Sequence, residues 1–338
     1  MAVTYRPPLR SELGDCALIW YSAVDEYMAR LNRPLPSPYL DPLLKLLNHL
    51  LTTDPERFLV AVQPTGEGPN QGRDELVGFG IAAQREHVWF LSQLYVLPGE
   101  QGKGIGRALL TQILPSAPGA APTEMSGTAP EAQPATGAAP AEPRAHPGVL
   151  AMCTDSAQPV SNALYAGYGI VPRQPVFNLV GTPKPSALGR LPAGIEAVPF
   201  ASGDDPPASA AAIDAIDREI LGYAHPLDHA FLRTGGRTGF LYRTDGGEVL
   251  GYGYSSEAGR FGPVALLDDT LTAPVIGHLM HNIRPRGATT AWVPGANDRA
   301  MVALLRAGLR IEGFPALMCW TRPYGQFERY MPASLALL

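Results

Sequence analysis

The run Leu97-Pro-Gly-Glu-Gln101-Gly-Lys-Gly104-Ile-Gly106-Arg-Ala-Leu-Leu110 follows the apolar stretch Val88 to Val96 and carries glycine at every second position before turning amphipathic. It reads as a strand, a tight turn and a helix start. The first N–H groups of a helix have no intrahelical partner, the macrodipole places about half a positive charge there, and glycine lets a ligand come close to the backbone. Lys103 and Arg107 add formal charge. The chemistry is anion binding, and a diphosphate suits it. A Walker loop is excluded because GxxxxGK[ST] is absent. The spacing Gly102, Gly104, Gly106 also misses the Gly-x-Gly-x-x-Gly of dinucleotide folds, so a nicotinamide enzyme is not expected.

A second run lies further on, Asn162-Ala-Leu-Tyr165-Ala-Gly-Tyr-Gly169-Ile170, with the look of a short helix that ends on glycine. Gln101-Gly-Lys-Gly104-Ile-Gly106 has the form [QR]-x-x-G-x-[GA], sits after Leu94-Tyr-Val96 and leads into Ala-Leu-Leu. Together the two runs resemble the acetyl-CoA loop and the later Asn/Tyr helix of the GNAT N-acetyltransferase superfamily, over roughly residues 4–180.

That resemblance implies roles residue by residue. The backbone amides of Gln101, Gly102, Lys103, Gly104, Ile105 and Gly106, with Arg107 and Ala108 at the helix start, would hold the CoA pyrophosphate. Leu94, Tyr95 and Val96 would pair with the pantetheine amides and offer an N–H to the acetyl carbonyl, as an oxyanion-type donor does. Asn162 would contact the pantetheine arm. Tyr165 would protonate the departing thiolate, and Tyr168 is expected in the core. Family members that acetylate small polyamines carry Glu-Asp where this chain has Ser92 and Gln93, neither of which is a base at neutral pH. Glu86, His87 and Asp155 are the neighbouring candidates for that part. The implied activity is an acyl-CoA-dependent N-acetyltransferase, with acetyl-CoA as cosubstrate and a small-molecule or peptide amine as acceptor. The amine would attack directly in a ternary complex. The missing carboxylate keeps a non-catalytic acyl-CoA-binding or regulatory module as the alternative.

The elements that must position these residues recur. Glu75-Leu-Val-Gly-Phe-Gly-Ile-Ala-Ala83 has a near copy in Glu248-Val-Leu-Gly-Tyr-Gly-Tyr-Ser-Ser256, an offset of 173. Helical runs aligned on Leu110 and Leu279 give 169, and Leu164 to Gly169 against Ala303 to Gly308 gives 139. The offset drops across the 34 residues from Pro115 to Gly148, which hold eight Pro, ten Ala and four Gly and no branched aliphatic or aromatic side chain. Such a run cannot bury enough apolar area to offset its ordering entropy and reads as a disordered insertion. Two tandem domains are expected, 1–185 and 186–338, each an α/β (α+β) mixed sheet flanked by helices. The first copy predicts helices near 15–30, 42–51, 104–114 and 160–166, with strands at 57–62, 75–83, 87–97 and 149–154 and a hairpin turn at Gly66 to Gly68.

In the second copy Leu271, Ala273 and Val275 replace the three glycines, Pro274 removes a backbone donor, and Leu304 stands for Tyr165. That domain is expected to bind no CoA. It would instead pack on the first and shape the acceptor pocket or a homodimer interface, through Phe314, Leu317, Met318, Trp320, Tyr324, Phe327 and Tyr330. The segment 30–42 is expected to form another wall of that pocket.

Charge and composition bound the rest. A net charge of −5 argues against nucleic acid or an anionic membrane as the main partner. With no run of about 18 apolar residues and no signal-like start, a cytoplasmic protein is expected. Cys16, Cys153 and Cys319 lack disulfide or zinc spacing. His278-x-x-His281, Asp268-Asp269 and Asp204-Asp205 offer no third ligand at a telling distance, so no metal is expected.

Overall fold

The computed structural model describes residues 2–33, 35, 39–64, 74–115, 148–200, 207–282 and 287–337. All but the ends of the Pro/Ala-rich run, the Gly66 to Gly68 turn, part of 30–42 and Asp204-Asp205 lie outside them. The first half runs β1 (Thr4–Arg6), α1 (Leu13–Arg30), α2 (Asp41–Thr53), β2 (Phe58–Pro64), β3 (Asp74–Arg85), β4 (Val88–Val96), α3 (Ile105–Ile113), β5 (Val149–Asp155), α4 (Pro159–Ala166) and β6 (Val171–Gly181). The second repeats this order with β7 (Ile195–Pro199), α5 (Pro207–Ile220), α6 (Pro226–Thr234), β8 (Arg237–Thr244), β9 (Val249–Ser256), β10 (Phe261–Leu266), α7 (Thr272–Asn282), β11 (Thr289–Pro294) and α8 (Asp298–Arg306). It then adds β12 (Arg310–Ile311), β13 (Ala316–Trp320) and β14 (Tyr330–Met331). Proline opens α2, α4 and α6 in the first turn, where its missing N–H costs no helix bond.

Alternation in the central strands sets the layers, because successive side chains of a strand point to opposite faces. Trp89 and Leu91 of β4 join Met152 of β5 in a buried cluster with Leu110 and Ile113 of α3 and Tyr165 of α4. Val88 and Phe90, with Val149 and Ala151, face the other way and meet Ile213, Ile216 and Ile220 of α5. On that same face Phe79, Ile81 and Ala83 of β3 pack under α1 and α2. One core cluster therefore draws side chains from both halves of the chain.

The sheets are shared as well. The larger, nine-stranded sheet has the order β1-β2-β3-β4-β5-β13-β6-β11, with β12 also beside β6, and the smaller has the order β14-β10-β9-β8-β7. The expected tandem of two helix-flanked sheets is what the chain adopts, but the terminal strands have changed places. β13 enters the first sheet between β5 and β6, pairing antiparallel with both. β6 in turn pairs with β11 from Thr289↔Gly181 to Pro294↔Val176. A division at 185/186 thus runs through a continuous sheet. Among the described residues the one parallel pair of strands, β4 with β5, is in the larger sheet. The smaller is antiparallel throughout, because β11 has left it for β6; β11 keeps to its half by the parallel bridge Arg260↔Thr290 and by Ala291 and Val293, which pack in the core with α7 and α8.

A buried ionic cluster ties the halves together. Arg85 of β3 donates to both Asp228 oxygens, at 2.7 and 2.8 Å, and to Asp54 at 2.8 Å. Asp228 lies on α6 and is also bound by His49 Nε2 of α2, at 2.7 Å. Burial alone would raise the Asp228 carboxyl; the hydrogen bonds from His49 and Arg85, and the Arg85 charge, reverse that and hold it well below the carboxylate range. Leu337 at the far end of the chain reaches back into the core beneath α1 and α2.

Candidate active site

β4 and β5 pair only from Val88↔Val149 to Leu91↔Met152. Beyond that point β4 keeps its partner β3, with Gly80↔Leu94, Phe79↔Tyr95 and Gly78↔Val96, but its other edge has left β5. A register shift between Ile81 and Ala82 makes Ser92 the extra residue on β4. Such a bulge bends its strand, and here it lies where the two strands part. The result is a wedge in which the edge of β4 from Leu94 to Val96 has no strand partner on the side facing the gap.

The glycine turn stands at the mouth of this wedge. Gly102 and Gly104 have φ of 79° and 85°, left-handed values that glycine adopts without penalty and other residues reach at about 1–2 kcal/mol. Gly104 caps α3 with no side chain on the helix end, and the first turn holds no acidic residue. The first internal bond is Ala108 N to Gly104 O, at 3.0 Å, so the N–H groups of Ile105, Gly106 and Arg107 have no partner within the helix. A Cβ at Gly102 or Gly104 would meet nothing within 4 Å, and one at Gly106 only Val96, at 3.7 Å. The cradle is open to a ligand. Gln101 Nε2 donates to Val96 O at 3.0 Å and locks the turn to the strand. Lys103 is ion-paired to Glu100 at 2.8 Å, and the two border a shallow hollow with Tyr5 and Gln63. An exposed pair of this kind is worth about 0–1 kcal/mol and gives way readily to an incoming anion. Arg107 is exposed.

α4 supplies the opposite wall. Asn162 Nδ2 donates to Gln158 O at 2.8 Å and Asp155 O at 3.2 Å, while its Oδ1 is buried and meets no hydrogen-bond donor. An amide N–H of a bound ligand would satisfy it. Tyr165 is buried; burial raises its phenol far above the ordinary value, Tyr95 adds to the rise, and a hydrogen bond with Ser161 opposes it. It therefore holds its proton at neutral pH. Tyr168, expected in the core, is half-buried and its hydroxyl lies 2.7 Å from Thr111 Oγ1, joining α4 to α3.

The three candidate bases separate. Glu86 and His87 form the β3–β4 turn at the far end of β4 from Leu94 to Val96; Glu86 Oε1 accepts from Arg218 at 2.9 and 3.1 Å. Asp155 ends β5 at the open side of the wedge and lies close to Tyr27 and Tyr95. Its charge raises both phenols, after the larger effect of burial, Tyr95 to about 12. In the Ser92-Gln93 pair, Ser92 Oγ donates to Ala336 O at 2.9 Å, and Gln93 Oε1 is buried without a partner. Sequence reasoning missed Trp20 and Tyr27, one heptad apart on α1. Trp20 packs edge-on against Tyr95 with ring centroids 6.4 Å apart, and Tyr27 turns its hydroxyl toward Asp155. Two aromatic residues with polar tips at i and i+7 of an amphipathic helix were the available signal.

Among the described residues no helix is long and apolar enough to cross a membrane. Residues 22–135 match the family model for the acetyltransferase (GNAT) family. No curated protein sequence matches the chain. Among solved structures it is similar to a candidate acetyltransferase from Pyrococcus horikoshii, with a TM-score of 0.68 at 14% identity, covering 99% of this chain and 95% of the other. It is also similar to a tandem GNAT protein from the clavulanic acid biosynthesis pathway, with a TM-score of 0.55 at 16% identity over 95% of this chain and 99% of that one. A GCN5-related N-acetyltransferase from Sphaerobacter thermophilus matches with a TM-score of 0.55 at 16% identity, over 95% and 96%. At such identities the likeness is one of fold. Residues 22–135 are thus similar to the GNAT acetyltransferase family, and the chain as a whole shares its fold with these structures, a tandem GNAT protein among them.

Proposed function

We propose that the chain transfers an acetyl group from acetyl-CoA to an amine, with the chemistry confined to its first half. The observation that carries this reading is the pairing of two vacant backbone surfaces: the unpartnered N–H groups of Ile105 to Arg107 and the free edge of β4 from Leu94 to Val96. The first suits a pyrophosphate. The second suits the amides of a pantetheine arm laid along the strand, for which Asn162 Oδ1 is an additional acceptor.

The steps then follow from what each residue can do. The amine lone pair attacks the thioester carbonyl, while an N–H of the Leu94 to Val96 edge stabilises the charge growing on its oxygen. The C–S bond breaks, and Tyr165 passes its proton to the departing sulfur. Asp155 takes the proton lost by the amine nitrogen, directly or through a bridging water, and Tyr27 and Trp20 line the acceptor's approach. Positioning supplies most of the acceleration, since no covalent intermediate is needed.

The test is release of free CoA thiol from acetyl-CoA with a panel of amines, amino acids and peptides. Turnover with at least one acceptor, lost in Asp155→Asn with CoA affinity unchanged, supports the reading. Binding of CoA with no thiol release from any acceptor would favour an acyl-CoA-binding module instead.

A further inference from the structure

Away from the wedge, three buried groups of the second half converge. Asp217 lies on α5, His225 is the residue that precedes α6 as its N-cap, and His229 follows one turn later. A spacing of four puts both imidazoles on one helix face, and their rings stack with centroids 4.4 Å apart. Asp217 Oδ2 is 2.9 Å from His229 Nε2 and 3.3 Å from His225 Nε2. One ligand atom from each residue lies within 4.8 Å of the others. Ligands held about 2.0–2.2 Å from one tetrahedral zinc ion sit about 3.3–3.5 Å apart, so His225 and Asp217 already stand at that spacing and His229 need only draw back from Asp217 by a few tenths of an ångström to admit an ion.

The surroundings have the character of an outer ligand shell. Tyr252 donates its hydroxyl to Asp217 Oδ1 at 2.6 Å, which leaves Oδ2 for the centre. The Tyr254 hydroxyl meets His229 Nδ1 at 3.0 Å and fixes the ring so that Nε2 points inward. His225 is the independent sign. It is 1% exposed, its side chain makes no capping bond to α6, and its ring nitrogens face only carboxylates, Nε2 toward Asp217 at 3.3 Å and Nδ1 toward Asp228 at 3.8 Å, without a hydrogen bond of good geometry.

Charge points the same way. Asp54, Asp217 and Asp228 are at most 3% exposed, and the one buried guanidinium near them is Arg85, with Arg57 at the edge 3.9 Å from Asp54. The buried carboxylates outnumber the buried permanent cations among the described residues, and buried charge must be compensated.

We propose that Asp217, His225 and His229 bind a divalent transition-metal ion, with zinc the occupant that two imidazoles and a carboxylate favour. Water takes the fourth position. The ion braces α5 against α6, and through Asp228, the neighbour of His229 bound by Arg85 and His49, it stiffens the seam between the halves. It has no part in acyl transfer.

Metal analysis of the purified full chain, and titration of the chelator-stripped chain with zinc chloride, test this directly. One equivalent of zinc is expected, with a rise in Tm on reloading. Cobalt chloride in place of zinc is expected to give the visible absorption of tetrahedral imidazole coordination. His225→Ala loses the ion and the Tm response, whereas His281→Gln keeps both. Should His225→Ala not fold, the wild-type chain alone decides. A stripped wild-type chain that stays folded by circular dichroism, takes up no zinc or cobalt and melts at the same temperature with and without them overturns the proposal. Zinc retained by a folded His225→Ala, or lost from His281→Gln, overturns it equally.

Discussion

α3 and α7 hold corresponding places in the two halves, yet their N-termini have opposite fates. At α3 the turn is glycine, no side chain caps the helix, and the leading N–H groups are left without internal partners. In the turn before α7, Asp268 Oδ1 accepts from Thr270 N at 2.9 Å and from the Thr270 hydroxyl at 2.6 Å, and Asp269 pairs with Arg299 at 2.8 Å. Pro274 lacks a donor altogether. The adjoining strands differ in the same sense. The far half of β4 has an open edge, whereas β10 pairs its Val264 and Ala265 with β14. The stretch between β6 and β7 also lies on α7, where a Cβ at Gly277 would come within 3.0 Å of Gly189 O and 3.1 Å of Leu188 Cβ. One fold can therefore spend its helix donors and strand edge on a ligand or on itself, and a few residues decide which.

The comparison can be broken most drastically by separating the halves. A chain cut after residue 185 retains every residue of the proposed CoA site but loses β13 from the middle of its sheet. Calorimetry is expected to show neither a cooperative melt nor heat on adding CoA. A folded fragment that binds CoA would mean that the exchanged strand is dispensable.

The next effect sets Tyr165 against its counterpart. Tyr165→Phe is expected to lower kcat by about 10²–10⁴ with CoA affinity unchanged, the range of a lost general acid. Leu304→Ala should leave kcat alone and lower stability by about 2–5 kcal/mol in denaturant unfolding, as a cavity in a closed core does. Because burial raises the Tyr165 phenol, its proton stays in place as pH increases, so kcat should show no descending limb below about pH 10. A limb near neutrality would assign the acid to another group.

Gly106→Asp would place a negative charge in the first turn of α3, where the proposed phosphates would sit. The helix has room for the side chain, so folding should persist while CoA affinity falls by about 10–100-fold, or about 1.4–2.8 kcal/mol. Affinity within twofold of wild type would show that the helix terminus does not meet the phosphates. The smallest change is expected from Lys103→Ala. Its charge is exposed and already paired, so CoA affinity should drop less than about fivefold, and the difference should fade at high salt.

Local patterns proved legible where the physics is local. The glycine turn, the strand before it and the helix after it appear where alternation and spacing place them, and the repeat anticipates the common element order. Expectations that depended on distance along the chain separated. Glu86, His87 and Asp155 are equal candidates by proximity in sequence, but a nine-residue strand puts the first two at the wrong end of the wedge. Trp20 and Tyr27 reach the site only because α1 crosses the same sheet face as Tyr95. The C-terminal apolar residues also divide: Leu317, Met318 and Trp320 lie on β13 in the first sheet, Tyr324, Phe327 and Tyr330 fill the shared core, and Phe314 is 52% exposed.

By itself the amino-acid sequence determined the donors and the groups: a turn that only glycines make cheaply, a helix start without acid, a tyrosine one turn before a glycine stop. Each is settled within a few residues by backbone conformation and hydrogen-bond supply. Tertiary structure alone decided which strand completes which sheet, and hence that β4 parts from β5 while β10 finds β14. Strand pairing depends on edges brought together from distant parts of the chain, and no periodicity along the chain records which edges will meet. The same holds for Asp217, His225 and His229, whose convergence exists only once α5 and α6 have packed.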